Sequence, residues 1–226
     1  MYKNMLSEGV FVKSSGTTGI QKHIFRTPKN LEACNKIAID CQQITKKSKI
    51  YTVCKMEHAG GLLAQTLPAF SIGAEVTVEQ FNAYKFVKEI NKYTHTHLAP
   101  DHAKAIIKTK GFKDLKLKGI WITCGSNPVE WYIIESFIQQ GATFMANWGM
   151  SEIGPLTINK VFYDLDQIQE VKRKETILGD TYYCDWKVED NKLFVKGDTC
   201  IYNDWYNTKD LVYLNKDKMY YNGRLI

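Results

Sequence analysis

The first 155 residues alternate short apolar runs with amphipathic stretches. Apolar runs of strand length occur at 9–13, 50–54, 74–78, 95–99, 117–124 and 142–146. Patterns typical of helices stand between them, beginning near Thr27 and then at 62–70, 81–93, 103–108 and 128–140. In the first helix we expect Thr27 to be the N-cap and Pro28 to lie in the first turn. Strand and helix at this spacing predict an α/β fold, with a largely parallel sheet flanked by helices.

The pattern changes after about residue 155. Short runs of alternating apolar and polar residues follow, separated by turn-forming residues. Residues 189–191 and 215–217 have the composition of hairpin tips. We therefore predict two units, an α/β subdomain over residues 1–155 and a smaller, mostly antiparallel β subdomain over residues 156–226.

Composition and charge narrow the function classes. The 226 residues carry a net charge of +6, and the 30 basic residues are spread along the chain. A nucleic-acid surface requires a larger basic excess on one face, so we expect no nucleic-acid partner. No apolar stretch reaches membrane-spanning length, and no secretory segment follows Met1. The six cysteines are scattered without a C-x-x-C pair, which indicates reduced thiols and a cytoplasmic location.

A loop rich in glycine and hydroxyl groups follows the first strand. It runs through Ser14, Ser15, Gly16, Thr17, Thr18, Gly19 and Ile20 to Gln21 and Lys22. Glycines let the backbone approach a ligand, and hydroxyls, backbone N–H groups and a lysine together suit a polyphosphate. The spacing is not that of a Walker P-loop. From the residues alone, a plain turn and a phosphate-binding loop remain open.

Four later segments also combine glycine, polar and aromatic residues. They are His58-Ala59-Gly60-Gly61, Gly125-Ser126-Asn127-Pro128, Asn147-Trp148-Gly149-Met150-Ser151-Glu152 after the strand at 142–146, and Thr208-Lys209-Asp210 with Gly223-Arg224. Three of them have an ordinary alternative: a structural histidine for His58, a cap-like pair for Ser151-Glu152 and a turn for Thr208-Lys209-Asp210. A carboxylate such as Glu152 suits Mg²⁺, and Asp210 can accept hydrogen bonds from two hydroxyl groups.

Taken in order, these segments resemble the signatures of the adenylate-forming superfamily, which includes acyl-CoA synthetases, luciferases and adenylation domains of nonribosomal peptide synthetases. The loop at 14–22 resembles Ser-Gly-Thr-Thr-Gly-x-Pro-Lys, with Gln21 in place of proline. Trp148 and Ser151 replace the tyrosine and threonine of Tyr-Gly-x-Thr-Glu. Ser126 and Lys209 each replace a family glycine.

The resemblance implies acyl-adenylate formation from ATP and a carboxylic acid, with release of pyrophosphate. It places Ser14 to Gly19 and Lys22 on phosphate, Ser151 on the α-phosphate and Glu152 on Mg²⁺. It assigns Thr17, Lys22, Ser151 and Glu152 to catalysis. Adenine would face Gly125, Ser126, Asn127, Asn147, Trp148 and Gly149, and ribose would contact Asp210 and Arg224. His58 and Gly149 would border the acyl pocket, and coenzyme A is the expected second acceptor.

The resemblance also implies two segments that this chain does not contain. One precedes the phosphate loop, and the other is a C-terminal domain that supplies a catalytic lysine. Three hypotheses follow: a minimal or split ligase completed by another chain or a homo-oligomer, a non-catalytic nucleotide- or acyl-adenylate-binding protein, and a fragment of a longer enzyme.

One further group, His95 and His97 with His102, has two interpretations. Alternate residues share a strand face, so a metal site is one of them. No acidic or thiolate partner stands at ligand spacing, which favours a structural role.

Overall fold

A computed structural model describes residues 2–14 and 21–225. In chain order its strands are β1 (Val10–Lys13), β2 (His23–Arg26), β3 (Lys49–Thr52), β4 (Glu75–Val78), β5 (His95–Leu98), β6 (Trp121–Cys124), β7 (Thr143–Met150), β8 (Gly154–Phe162), β9 (Thr176–Gly179), β10 (Thr181–Tyr182), β11 (Asp185–Glu189), β12 (Lys192–Lys196), β13 (Tyr206–Asn215) and β14 (Lys218–Arg224). The helices are α1 (Tyr2–Glu8), α2 (Pro28–Cys41), α3 (Ala59–Gly61), α4 (Leu67–Ser71), α5 (Ala83–Glu89), α6 (Pro100–Ile107), α7 (Trp131–Gln139) and α8 (Leu165–Val171), with a π-helical turn at Leu62–Thr66 between α3 and α4.

Within the described residues the larger sheet has seven strands in the order β10-β8-β7-β6-β5-β3-β4. The pairs among β4, β3, β5, β6 and β7 are parallel, whereas β8 and β10 add antiparallel strands at one edge. A long crossover is needed between parallel strands, and the amphipathic helices supply it. The predicted α/β fold, with its largely parallel sheet, is confirmed.

Helices cover both faces of this sheet. Alternation along β6 sends Ile122 and Cys124 to the face that packs against α5, α6, α7 and α8. Trp121 points to the other face, where it joins Ala38 of α2 and Ala64 of the π-helical turn. Complete burial of one large apolar side chain contributes about 1.5–3 kcal/mol, so these two cores hold the central strands in place.

The smaller sheet has the order β11-β12-β13-β14-β9, and all its described pairs are antiparallel. Its hairpin tips fall at the predicted positions, where Asp190, Asn191 and Lys216 have positive φ. A core that includes Trp148, Leu178 and Val212 joins this sheet to β7 and β8 of the larger one. The two sheets therefore share buried side chains beside the end of β7.

The predicted N-cap of α2 is confirmed, since the Thr27 hydroxyl accepts a hydrogen bond from the Asn30 backbone N–H. Other boundaries were wrong. The strand expected at 117–124 begins at Trp121, because Leu117 to Ile120 form a turn closed by an N–H···O bond of 2.9 Å. The helix expected from Pro128 begins at Trp131.

The strand expected to end at Ala146 continues to Met150, so Asn147 to Met150 lie in β7 and do not follow it. The elements α1, β2, α8, β8, β9 and β10 were not predicted. All but β8 are short. The first six residues of β8 are all buried, so this strand lacks the alternation of apolar and polar positions that marks a half-exposed strand. The division of the chain at residue 155 stays a prediction, and β8, which begins at Gly154, pairs with β7. Among residues 2–14 and 21–225, the helices are too short or too polar to cross a membrane.

Candidate functional site

A cavity of 790 Å³ lies at the carboxyl ends of the parallel strands. Cys54 follows β3, Ala99 follows β5 and Ser126 follows β6, and all three line it. In open α/β sheets this edge is the usual position of a ligand, because loops rather than continuous strands form its walls. Side chains of the smaller sheet close the cavity from the other side.

The cavity brings together the predicted site residues from every segment. Those that line it are Ser14, Lys22, His58, Ser126, Asn127, Asn147, Trp148, Gly149, Ser151, Glu152, Asp210 and Arg224. Gly125 lies directly behind its wall, where a Cβ atom would come within 2.2 Å of Asn147 Nδ2. Ser15, Gly16, Thr17, Thr18 and Gly19 lie outside the described residues.

The predicted phosphate loop connects β1 to β2, and hydrogen bonds close its neck. The Ser14 backbone N–H donates to Lys22 O at 2.9 Å, and the Lys22 N–H donates to Ser14 Oγ at 2.9 Å. The antiparallel pairing of β1 with β2 continues this ladder. Lys22 thereby lies at the cavity wall on the hydrogen-bonded base of the hairpin.

One carbonyl, that of Lys13 at the end of β1, ties three segments together. It accepts a hydrogen bond from His58 Nδ1 at 3.1 Å and another from the Ser151 hydroxyl at 3.3 Å. The Lys13 ammonium also pairs with Glu57 at 2.6 Å. The base of the phosphate loop, the His58 segment and the Ser151 turn therefore hold one another in position.

Trp148 and Asp210 join the two sheets inside the cavity wall. The Trp148 indole Nε1–H donates to Asp210 Oδ2 at 2.8 Å, and Arg224 Nε lies 3.6 Å from Asp210 Oδ1. Burial raises the pKa of Asp210, while the Arg224 charge and the indole hydrogen bond oppose that shift. Sequence reasoning placed the Trp148 ring at adenine and did not foresee this bond from its edge.

Glu152 is a buried carboxylate with 7% of its surface exposed, and it lines the cavity. Among residues 2–14 and 21–225 its carboxylate accepts no hydrogen bond and forms no ion pair. A hard divalent cation bound in the cavity fits this position, because such ions take carboxylate oxygens as ligands.

Arg26 was not predicted as part of the site. Its guanidinium is fully buried and donates to the carbonyls of Ser151 and Thr199 and to the sulfur of Cys34. It thus links β2 to the Ser151 turn from behind the cavity. The only signal in the sequence was a basic residue next to the apolar pair Ile24-Phe25, which is too weak to indicate burial.

The charge of the cavity lining favours an anion. Five basic side chains line it against the two carboxylates of Glu152 and Asp210, and they are Lys13, Lys22, Lys55, Lys209 and Arg224. Convergent basic groups in a cleft raise the local concentration of anionic ligands.

The histidines separate into two environments. His95 Nε2 donates to Gln42 O at 2.9 Å, which is a structural contact, whereas His97 and His102 line the cavity. Cys54 lies beside both His97 and His102. This contact was not predicted, because Cys54 is far from both histidines along the chain. In the part of the chain that the structure describes, no cluster of three or more His, Cys, Asp or Glu residues is arranged to hold a metal ion.

Comparison with known proteins identifies the family. The model of the AMP-binding enzyme family matches residues 11–199. The chain belongs to the AMP-binding enzyme family. Among curated proteins, the indoleacetate–CoA ligase of Aromatoleum aromaticum is 30% identical over 148 residues, which cover 63% of this chain and 29% of that ligase.

Solved structures of other proteins share the fold. The o-succinylbenzoate coenzyme A synthetase MenE of Bacillus subtilis, in complex with ATP and magnesium ion, superposes with a TM-score of 0.77 at 19% identity, over 93% of this chain and 48% of that chain. The N-terminal domain of FACL13 from Mycobacterium tuberculosis superposes with a TM-score of 0.78 at 15% identity. That match covers 95% of this chain and 60% of the FACL13 chain. This chain therefore spans about half the length of the MenE structure.

The backbone conformation of Ser126 and Lys209 accounts for the two family glycines that they replace. Ser126 has φ 79° and Lys209 has φ 63°, both in the left-handed region that favours glycine. Both loops thus keep a glycine-type turn with a side chain present. A non-glycine residue in this conformation destabilises the folded chain by about 1–2 kcal/mol compared with the same residue at negative φ. Both Ser126 and Lys209 line the cavity.

Proposed function

We propose that this chain is the ATP- and AMP-binding core of an adenylate-forming carboxylate ligase. In the proposed reaction, a carboxylate oxygen of the acid attacks the α-phosphorus of ATP, the bond to the β-phosphate oxygen breaks, and pyrophosphate leaves with the electron pair. The observation that supports this most is the convergence of five separate segments on one cavity with a basic lining.

The position of each group suggests its task. Lys22, with Thr17 and Thr18 of the loop, would bind the phosphates that leave, and Ser151 would bind the α-phosphate. Glu152 would hold Mg²⁺, which neutralises charge on the phosphates when it is bound. Because phosphoryl transfer depends on positioning and charge neutralisation, these contacts account for the proposed catalysis.

The nucleoside would lie between the Gly125 turn and Trp148, with its ribose hydroxyls at Asp210 and Arg224. Oδ2 of Asp210 already accepts the indole hydrogen bond, so Oδ1 is the oxygen that would accept from ribose. His58 and Gly149 would border the carboxylate of the acid. The similarity to an indoleacetate–CoA ligase supports coenzyme A as the acceptor in a second step.

Pyrophosphate exchange tests this proposal. The unmodified chain is incubated with ATP, Mg²⁺, labelled pyrophosphate and a panel of carboxylic acids, and ATP binding is measured beside it by calorimetry. We expect slow, acid-dependent exchange that falls by about 100-fold in Glu152→Gln, because one group that stabilises developing charge is removed. Glu170→Gln, an exposed change of the same kind on α8, should keep the full rate.

The outcomes separate the candidate functions. ATP binding with no exchange for any acid would refute the ligase and favour a non-catalytic nucleotide-binding protein. Absence of both binding and exchange would refute both functions for this chain.

A further inference from the structure

Arg26 places a positive charge behind the wall of the cavity. Its side chain is fully buried on the same face of β2 as Ile24, and an arginine stays protonated in proteins. Among residues 2–14 and 21–225, no carboxylate lies within ion-pair distance of the guanidinium. Cys34, whose sulfur accepts one of its N–H groups, supplies no negative charge, because burial raises the pKa of that thiol. The described part of the chain therefore balances this charge with dipoles alone.

The guanidinium joins two segments that meet behind Ser151. Nη1 donates to Ser151 O at 3.0 Å, and Nη2 donates to Thr199 O. The Ile201 backbone N–H donates to Glu152 O at 3.0 Å, so the segment at 199–201 supports both residues of the Ser151-Glu152 pair. All these contacts are made to backbone carbonyls, and Ser151 and Glu152 line the cavity in front of them.

The surrounding residues are shaped to hold an arginine here. Gly154, where β8 begins, leaves the necessary space, since a Cβ atom there would come within 3.2 Å of Arg26 Nη2 and 2.9 Å of Cys34 Sγ. The Asn30 amide nitrogen anchors the other segment to α2, because it donates to the two carbonyls that flank Thr199 in the chain, at 3.0 and 2.9 Å. The guanidinium is therefore held in position before a ligand binds.

A positive charge is not required to join these two segments. A neutral amide can bridge two carbonyls, and replacement of buried ionic groups with apolar side chains of similar size is often neutral or stabilising. A buried cation is stabilised by an anion, and the proposed function puts the α-phosphate on the cavity side of Ser151. A phosphate bound there would lie roughly 8 Å from the guanidinium. At that distance, and at an effective dielectric constant of about 20, the attraction between two unit charges changes a dissociation constant roughly 30-fold.

We propose that Arg26 is a positioning residue that also selects for phosphate: it holds the Ser151-Glu152 backbone from behind, and its charge makes the cavity in front of Ser151 prefer a phosphate monoester to an uncharged group. This inference rests on the proposed function, which places the α-phosphate at Ser151. A residue that only stabilised the fold would contribute equally to the binding of AMP and of adenosine, which lacks the phosphate. The charge of Arg26 should contribute to the binding of AMP alone.

The ratio of the adenosine dissociation constant to the AMP dissociation constant measures this preference. Both constants are measured by calorimetry at pH 7.5 for the unmodified chain, Arg26→Lys, Arg26→Gln and Arg26→Met. The first variant keeps the charge, the second keeps N–H donors without a charge, and the third keeps neither. We expect the ratio to fall about tenfold in Arg26→Gln and Arg26→Met and to stay within about threefold in Arg26→Lys, with adenosine affinity unchanged in all three.

Cys34→Ala is the matched control, because it removes a partner of the guanidinium and a buried side chain but no charge. Its ratio should equal that of the unmodified chain. Adenosine binding shows that each variant is folded, and either neutral variant alone decides the test.

The outcomes separate this inference from the proposed function. An unchanged ratio in Arg26→Gln and Arg26→Met, or an equal fall in Arg26→Lys or Cys34→Ala, would overturn the inference, while AMP binding by the unmodified chain leaves the proposed function standing. An unmodified chain that binds neither AMP nor ATP would overturn both.

Discussion

The bond between Trp148 and Asp210 makes a quantitative prediction. Trp148→Phe keeps an aromatic ring in the wall but removes the N–H that donates to Oδ2 at 2.8 Å. Trp148 is 8% exposed and Asp210 is 3% exposed, so water does not readily replace the lost donor. A hydrogen bond to a buried charged acceptor contributes about 1.5–3 kcal/mol. We expect the free energy of unfolding to fall by about 2 kcal/mol, or the melting temperature by about 4–8 °C for a chain of this size.

A double-mutant cycle separates this hydrogen bond from the change in ring size. Urea unfolding is measured for the unmodified chain, Trp148→Phe, Asp210→Ala and the double variant. The loss of ring contacts occurs in both backgrounds and cancels, so the coupling energy reports the pair. We expect a coupling energy of about 1–2 kcal/mol. A value below about 0.5 kcal/mol would show that the two changes are independent and that the bond does not join the sheets energetically.

Two further predictions concern stability. Because burial holds the pKa of His97 near 4, against an ordinary value of 6.5, the unfolded chain takes up a proton between pH 7 and pH 5 that the folded chain does not. The titration of His97 should therefore lower the free energy of unfolding by about 2 kcal/mol between pH 7 and pH 5. In His97→Gln, denaturant unfolding should show a decrease over the same pH range that is smaller by about 2 kcal/mol. Equal decreases in the variant and the unmodified chain would contradict the assignment to His97. Lys209→Gly should raise the free energy of unfolding by about 0.5–1 kcal/mol, because relief of the positive φ outweighs the larger conformational entropy that glycine loses on folding. Lys209→Ala keeps the strain, so equal stability of the two variants in urea would refute the explanation.

The parts of the fold that followed from the sequence are those with strong local signals. Alternating apolar runs and helical patterns identified the parallel strands, and Thr27-Pro28 marked the start of α2. Short elements such as α1 and α8 were missed because their few buried residues leave almost no periodic pattern. Strand β7 was underestimated, since glycine and polar residues near its end resemble a loop although β8 pairs with them.

The candidate site divides in the same way. Motif residues such as Ser151 and Asp210 were predicted, because each stands in a recognisable local segment. The contact of Cys54 with His97 was not predicted, because these residues are 43 positions apart and meet only through the order of β3 and β5. Burial of Arg26 likewise depends on packing between β2, the Ser151 turn and residue 199, which no local pattern indicates.

The placement of the cavity at the ends of central strands affects how readily this protein could change its ligand. Strands β3, β5 and β6 are hydrogen-bonded on both sides, so their backbones stay fixed when side chains at their ends are exchanged. Substitutions at positions 54, 97 and 102 would alter one end of the cavity without moving Asp210 or Arg224 at the other. Ligand preference could therefore diverge by a few point mutations, in nature or by directed evolution, while the opposite end remains unchanged.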